Sequence, residues 1–97
     1  MGLTSADRKE LESLIKAGAQ DPKVPVGLAR RLVPSQGDIE DFAYGLSSGM
    51  ILGNFAAAFR NRNGRDFDRD EIADLFTILA TRMPKLRLAI KRHLDLQ

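Results

Sequence analysis

Residues 42–59, from Phe42 to Phe59, form a stretch of 18 positions without a charge. On a helix turning about 100° per residue, this stretch has no polar side wide enough to face water. Ile39, Phe42, Leu46 and Met50 group on one side, and Tyr44, Ile51, Phe55 and Phe59 on the other. Only Ser47 and Asn54 mark a narrow polar strip between them. A helix apolar nearly all round has to be covered nearly all round. The cover can be the rest of the chain, another chain or lipid.

The same stretch carries Gly45, Gly49, Gly53 and Ala57 at successive i+4 positions. Each interior glycine costs about 1 kcal/mol of helix propensity relative to alanine. Close approach of another backbone along such a row of small residues can offset that cost. These four residues are therefore the expected contact line, against a neighbouring helix or a second copy of the chain. On this reading Gly49→Leu overpacks the contact and costs about 1–3 kcal/mol. A membrane span is the third way to cover the helix. The length is at the lower limit for spanning, and acidic residues before it and basic ones after it match a positive-inside orientation. Asn54, the two serines and the three glycines weigh against it, as do the amphipathic segments on both sides.

The remaining sequence is cut into helical pieces by its breakers, and no stretch alternates apolar and polar residues as a half-buried strand does. The first helix is expected from about Ser5 to Ala17, with Thr4 or Ser5 as cap, Leu11, Leu14 and Ile15 as stripe and Gly18 as stop. Asp21-Pro22-Lys23-Val24-Pro25 reads as an extended linker, followed by a short helix from Val26 to Leu32. The long central helix runs from about Asp38 to Asn61, and Asn63-Gly64 supplies its stop. Asp68 and Glu71 form a capping box for a fourth helix with the stripe Ile72, Leu75, Phe76, Leu79 and Met83. Pro84 ends that helix or starts a fifth, which faces the core with Leu86, Ala89, Ile90 and His93. The expected fold is all-α: one domain over residues 1–97, a compact bundle of four to five helices around the central one.

Composition removes several chemistries. The chain has no cysteine, so disulfides, thiolate catalysis and cysteine-held zinc or iron–sulfur centres are excluded. That absence fits a reducing compartment, the cytoplasm, and the first residues lack the basic and apolar pattern of a signal peptide. Ala6 stands where a myristoylation signal needs Ser or Thr. His93 is the single histidine and lies on the apolar side of its helix, where a packed residue is expected. Asp66, Asp68, Asp70 and Glu71 have the wrong register for a calcium loop, since Glu71 holds the glycine slot and Thr77 the glutamate slot. They read as helix-capping charges. No nucleophile or phosphate loop accompanies them, so neither an enzyme nor a cofactor or metal site is expected.

The net charge is +2, unevenly spread. Residues 49–97 hold nine Lys/Arg against six Asp/Glu, while residues 1–48 hold six against seven. Lys85, Arg87, Lys91 and Arg92 make the last helix basic on its outer side, with Leu88 among them. They form a candidate docking face for an acidic surface or phosphates.

One segment carries a likeness. Leu28, Ala29 and Leu32, then Ser35-Gln36, Ile39, Phe42 and Gly45, match in spacing the two helices of a helix-turn-helix. The segment resembles that of the Cro/repressor class. The resemblance implies that Ala29 packs between the helices, that Leu28, Leu32, Ile39 and Phe42 are buried, and that Arg30, Arg31 and Gln36 contact DNA. It departs at the turn, where Val33 replaces glycine, and at Asp38, Glu40 and Asp41, which would face phosphates. The expected function is a non-enzymatic helical interaction module, regulatory or adaptor in kind, docking another protein or a second copy of itself. A nucleic-acid-binding regulator is the alternative, and a small membrane-inserted protein the next.

Overall fold

The computed structural model describes residues 2–33 and 37–96. Among them are four helices and no strand: α1 (Ser5–Gln20), α2 (Lys23–Leu32), α3 (Ile39–Asn63) and α4 (Arg69–Asp95). The all-α bundle is as expected, with four helices and no fifth.

The caps set the helix starts. Thr4 Oγ1 accepts the Asp7 N–H, and Asp7 Oδ2 accepts the Thr4 N–H, both at 3.1 Å. Asp68 and Glu71 close a second capping box with both bonds at 2.8 Å. Asp38 Oδ1 accepts the Asp41 N–H at 3.0 Å and opens α3. Gly64, at φ +66°, ends α3 in the left-handed conformation that glycine adopts without strain.

Three boundaries differ from the sequence reading. α2 begins at Lys23 rather than Val26, because Pro25 is its third residue. A first-turn N–H has no partner within the helix, so proline loses nothing there. α1 continues through Gly18 to Gln20. Gly18 acts in packing rather than as a stop: a Cβ there would sit 3.1 Å from Ile51 Cδ1 and 3.6 Å from Leu86 Cδ1. α4 runs unbroken past Pro84. Burial explains the continuity, since Met83, Leu86 and Ile90 are all in the core and need one helical phase.

The core gathers Leu11 and Ile15 of α1, Val26 and Ala29 of α2, Ala43, Ile51, Phe55 and Phe59 of α3, and Leu75, Ile78, Leu86 and Ile90 of α4. Phe67, between α3 and α4, stacks on Phe55 with ring centroids 5.8 Å apart and leans on Phe59 at 4.5 Å. The expected stripe of α4 holds in part: Leu75 and Met83 are buried and Leu79 is half-buried, but Phe76 is 64% exposed and Ile72 is also exposed, while Ile78, outside the stripe, is buried. Glu71 takes the buried place beside Leu75 because Arg65 neutralises it through bonds of 2.8 and 3.0 Å.

The molecule measures 44 × 20 × 18 Å, with a radius of gyration of 14.5 Å. A spherical fold of this length would have about 12.5 Å. α1 and α2 make no side-by-side contact with each other; both lie along α3 and α4, which also contact one another. So thin a bundle leaves every helix an outer side in solvent.

Candidate protein interface

That thin packing decides the fate of the uncharged helix. α3 buries Ala43, Ser47, Ile51, Phe55 and Phe59, one line at i+4 spacing. The expectation that its neighbours cover it nearly all round does not hold within the chain. Only 28% of its most apolar 18-residue stretch is buried. Of the two apolar sides read from the sequence, Ile51, Phe55 and Phe59 face the core. Phe42 and Met50 of the other side are 41% and 44% exposed, and Ile39 and Leu46 are half-buried. Ser47, expected in a polar strip, lies in the core line.

Phe42, Gly45, Leu46, Gly49 and Met50 line a shallow, almost wholly apolar groove on this outer side. Gly45, Gly49, Gly53 and Ala57 are exposed. A Cβ added at any of the three glycines would meet nothing within 4 Å. The close approach expected at these residues is therefore not made inside the chain, and the predicted cost of Gly49→Leu to the fold is withdrawn. Of the glycines within the helices, Gly18 is the one that neighbouring helices crowd. Phe42 and Met50 were absent from the expected contact line. The signal for them was the two-sided grouping of α3, since a helix at the edge of a thin bundle buries only one of two apolar sides.

The ends of the face carry opposite charge. At its N-terminus stand Asp38, Glu40 and Asp41. Arg87 of α4 donates to Glu40 Oε2 at 3.1 Å, pairs with Asp41 and lies over the Tyr44 ring at 5.2 Å. The Asp41 backbone N–H, with further hydrogen bonds and Arg87, holds the Asp38 carboxyl below its ordinary pKa. At the C-terminus Arg60 pairs with Asp66, both exposed. Arg62 turns the other way, to Asp7 and Glu10 of α1.

The other candidate residues are distributed as follows. Lys85, Lys91 and Arg92 are exposed on α4, and Leu88 is exposed among them. Arg87 does not belong to an open basic face, because it is engaged with Glu40, Asp41 and Tyr44. Its cationic head is better used closing α4 on α3. Arg30 and Arg31 are exposed at the end of α2. Gln36 lies outside the described residues. Of the burials implied by the helix-turn-helix likeness, Ala29 is fully buried in the core and Ile39 is half-buried. Leu28, Leu32 and Phe42 are exposed instead, because the neighbouring helices pack on the other side of α2 and α3, where Val26, Ala29 and Ala43 are buried. Among the described residues no group of three or more His, Asp or Glu is arranged to hold a metal ion. His93 is half-buried, as its place on the core side of the helix predicts.

The chain matches no family model, no curated protein and no solved structure. The fold and the open face of α3 thus stand on this molecule's own geometry.

Proposed function

We infer that this chain is a non-enzymatic interaction module that docks a protein surface, another protein or a second copy, through the outer face of α3. One observation carries the reading: an uncharged helix face with Phe42 and Met50 exposed along an apolar groove. Contiguous exposed apolar surface on a small protein marks an interaction site far more than scattered single residues do. A regulatory or adaptor role in the cytoplasm is the setting that such a module fits.

Charge placed on the face tests it. Phe42→Glu and Met50→Glu change exposed residues and leave the helical circular dichroism intact. The wild-type chain and both variants are compared by sedimentation and by affinity capture from the native cell. A partner or second copy held by the wild type and released by both variants supports the reading. Equal association of all three removes it.

Two further readings each have one observation behind them. Arg30 and Arg31 are exposed side by side, which favours nucleic-acid binding. A gel shift at low salt that fades steeply as salt rises is its signature, and no shift at low salt disposes of it. α3 is long and apolar enough to cross a membrane. That reading requires detergent for extraction, and recovery without detergent opposes it.

A further inference from the structure

We propose that the partner covering α3 is a second copy of this chain, the two α3 helices lying antiparallel across a two-fold axis at Gly49. The proposal rests on the docking reading above and names its occupant.

A two-fold interface has to be complementary to itself: each patch meets the same patch turned round. About an axis at Gly49, residue 49+n of one copy faces residue 49−n of the other. The residues flanking Gly49 obey that symmetry, with the glycines exposed and Leu46 and Leu52 half-buried at the edges of the face. Gly45-Leu46 on one side of Gly49 is mirrored by Leu52-Gly53 on the other. Gly45 then meets Gly53 of the second copy, and Leu46 meets its Leu52. Phe42, the largest exposed side chain of the face, falls opposite the second copy's Ala56, so large meets small. The three glycines add no Cβ to hold the helices apart, and the space outside them is open.

Charge selects the direction independently of shape. The same pairing places Asp38 opposite Arg60 of the second copy, twice per dimer. Both are exposed, and at 100° per residue both fall on the outward side of α3. Arg60 already touches Asp66, but that pair is fully in solvent and weak. A guanidinium has five donors and can hold two carboxylates. Antiparallel packing also brings each acidic N-terminus to a basic C-terminus and opposes the helix dipoles. A parallel pair would stack Asp38, Glu40 and Asp41 on their own copies, a like-charge arrangement that interfaces avoid.

The absence of cysteine makes the test clean. Gly45→Cys, Gly49→Cys and Gly53→Cys are prepared singly, checked for helicity, and treated with an oxidant or a short bis-maleimide. The expected result is covalent dimer from Gly49→Cys alone. Gly45→Cys and Gly53→Cys should cross-link with each other when mixed, and poorly with themselves. Arg60→Glu should raise the dimer dissociation constant about five- to tenfold, through two lost pairs and two new repulsions. Adding Asp38→Lys to Arg60→Glu should restore association despite the lost helix cap.

Strong self-cross-linking of Gly45→Cys and of Gly53→Cys means a parallel pair and overturns the proposal. A dimer that cross-links at none of the three positions uses another face and overturns it, while the docking reading falls only if association is equal in the wild type, Phe42→Glu and Met50→Glu. Unchanged affinity of Arg60→Glu overturns the register. A monomer at every concentration overturns the second copy, while capture by the wild type and loss by Phe42→Glu would still uphold docking of a different protein.

Discussion

Arg62 in the last turn of α3 holds Asp7 in the first turn of α1, with Nη2 2.7 Å from Oδ1. Its Nη1 reaches Glu10 at 2.8 and 3.0 Å. Asp7 is 5% exposed, and this contact ties the end of the open helix to the start of the chain. Removing the cation leaves a buried carboxylate with only its capping bonds. Arg62→Ala is therefore expected to cost about 1–2 kcal/mol, read from urea unfolding. Glu10→Ala breaks only the more exposed arm of the fork and should cost under about 1 kcal/mol.

The same carboxylate gives an acid limit to stability. Burial alone would raise the Asp7 pKa, but the Thr4 backbone N–H, the Arg62 guanidinium and the Thr4 hydroxyl outweigh it and hold it below its ordinary value. Arg65, then the Asp68 backbone N–H, likewise lower Glu71 against its burial. A carboxyl whose folded pKa is depressed contributes stability that is complete above its unfolded pKa and lost as pH falls through the folded one. The melting temperature should thus hold steady down to about pH 5 and fall below about pH 4. Asp7→Asn and Glu71→Gln should each give a lower plateau at neutral pH and a shallower acid slope. An acid slope unchanged in both variants would assign acid unfolding to other carboxylates.

At Gly49 the fold and the association should respond in opposite directions. No atom lies within 4 Å of a Cβ placed there. Gly49→Ala then stabilises the folded chain by about 0.5–1 kcal/mol through helix propensity alone. Gly49→Leu should leave the melting temperature of the monomer unchanged or higher. Both variants put bulk on the proposed two-fold, so sedimentation should show weaker dimers, Leu more than Ala. A folding cost in a dilute, monomeric sample would mean that a neighbouring helix crowds Gly49 after all.

How far the sequence was legible depends on whether a signal was local. The capping box of Asp68 and Glu71 and the glycine stop at Gly64 involve residues three or four apart and read correctly, and the first cap, open in the sequence between Thr4 and Ser5, falls to Thr4. The burial of Ala29 agrees with what the helix-turn-helix resemblance implies. The burial of α3 was not legible, because hydropathy tells how much apolar surface a helix has and not how many neighbours the fold supplies. The departures on α4 have a similar cause. Leu75 of the expected stripe shares its face with Glu71 and Ile78, and Ile72, Phe76 and Leu79 lie beside it, so apolar counting admits the second group and leaves Glu71 out. The choice fell to Arg65, whose pairing makes Glu71 buriable and is set by a loop fold that periodicity does not encode. Arg87 looked like part of a free basic face for the same reason: its partners Glu40 and Asp41 lie more than forty residues away.

The two faces of α4 can be separated by mutation. Leu75 is 8% exposed and packs in the core, whereas Phe76 is largely in solvent. Leu75→Ala should cost about 2–5 kcal/mol, the usual loss for a buried leucine. Phe76→Ser changes an exposed site and should stay within about 0.5 kcal/mol, apart from a gain in solubility. Denaturant titrations of the two variants side by side decide the register. The reverse order of cost would put Phe76 in the core.

Pro84 offers a last measurement of what holds α4 together. It stands exposed inside a helix of 27 residues, with no N–H to give to the carbonyl of Ala80 and a ring that crowds it. A helix accepts that cost only when residues on both sides gain more by staying in phase. Met83 before it and Leu86 and Ile90 after it are buried, the last two completely. Pro84→Ala returns the hydrogen bond and relieves the ring, and is expected to stabilise the chain by about 1–3 kcal/mol, seen as a higher urea midpoint. Slower hydrogen exchange at residue 84's neighbours Met83 to Leu88 should accompany it. Loss of stability instead would show that the proline's bend is what fits the last turns of α4 against α1 and α3.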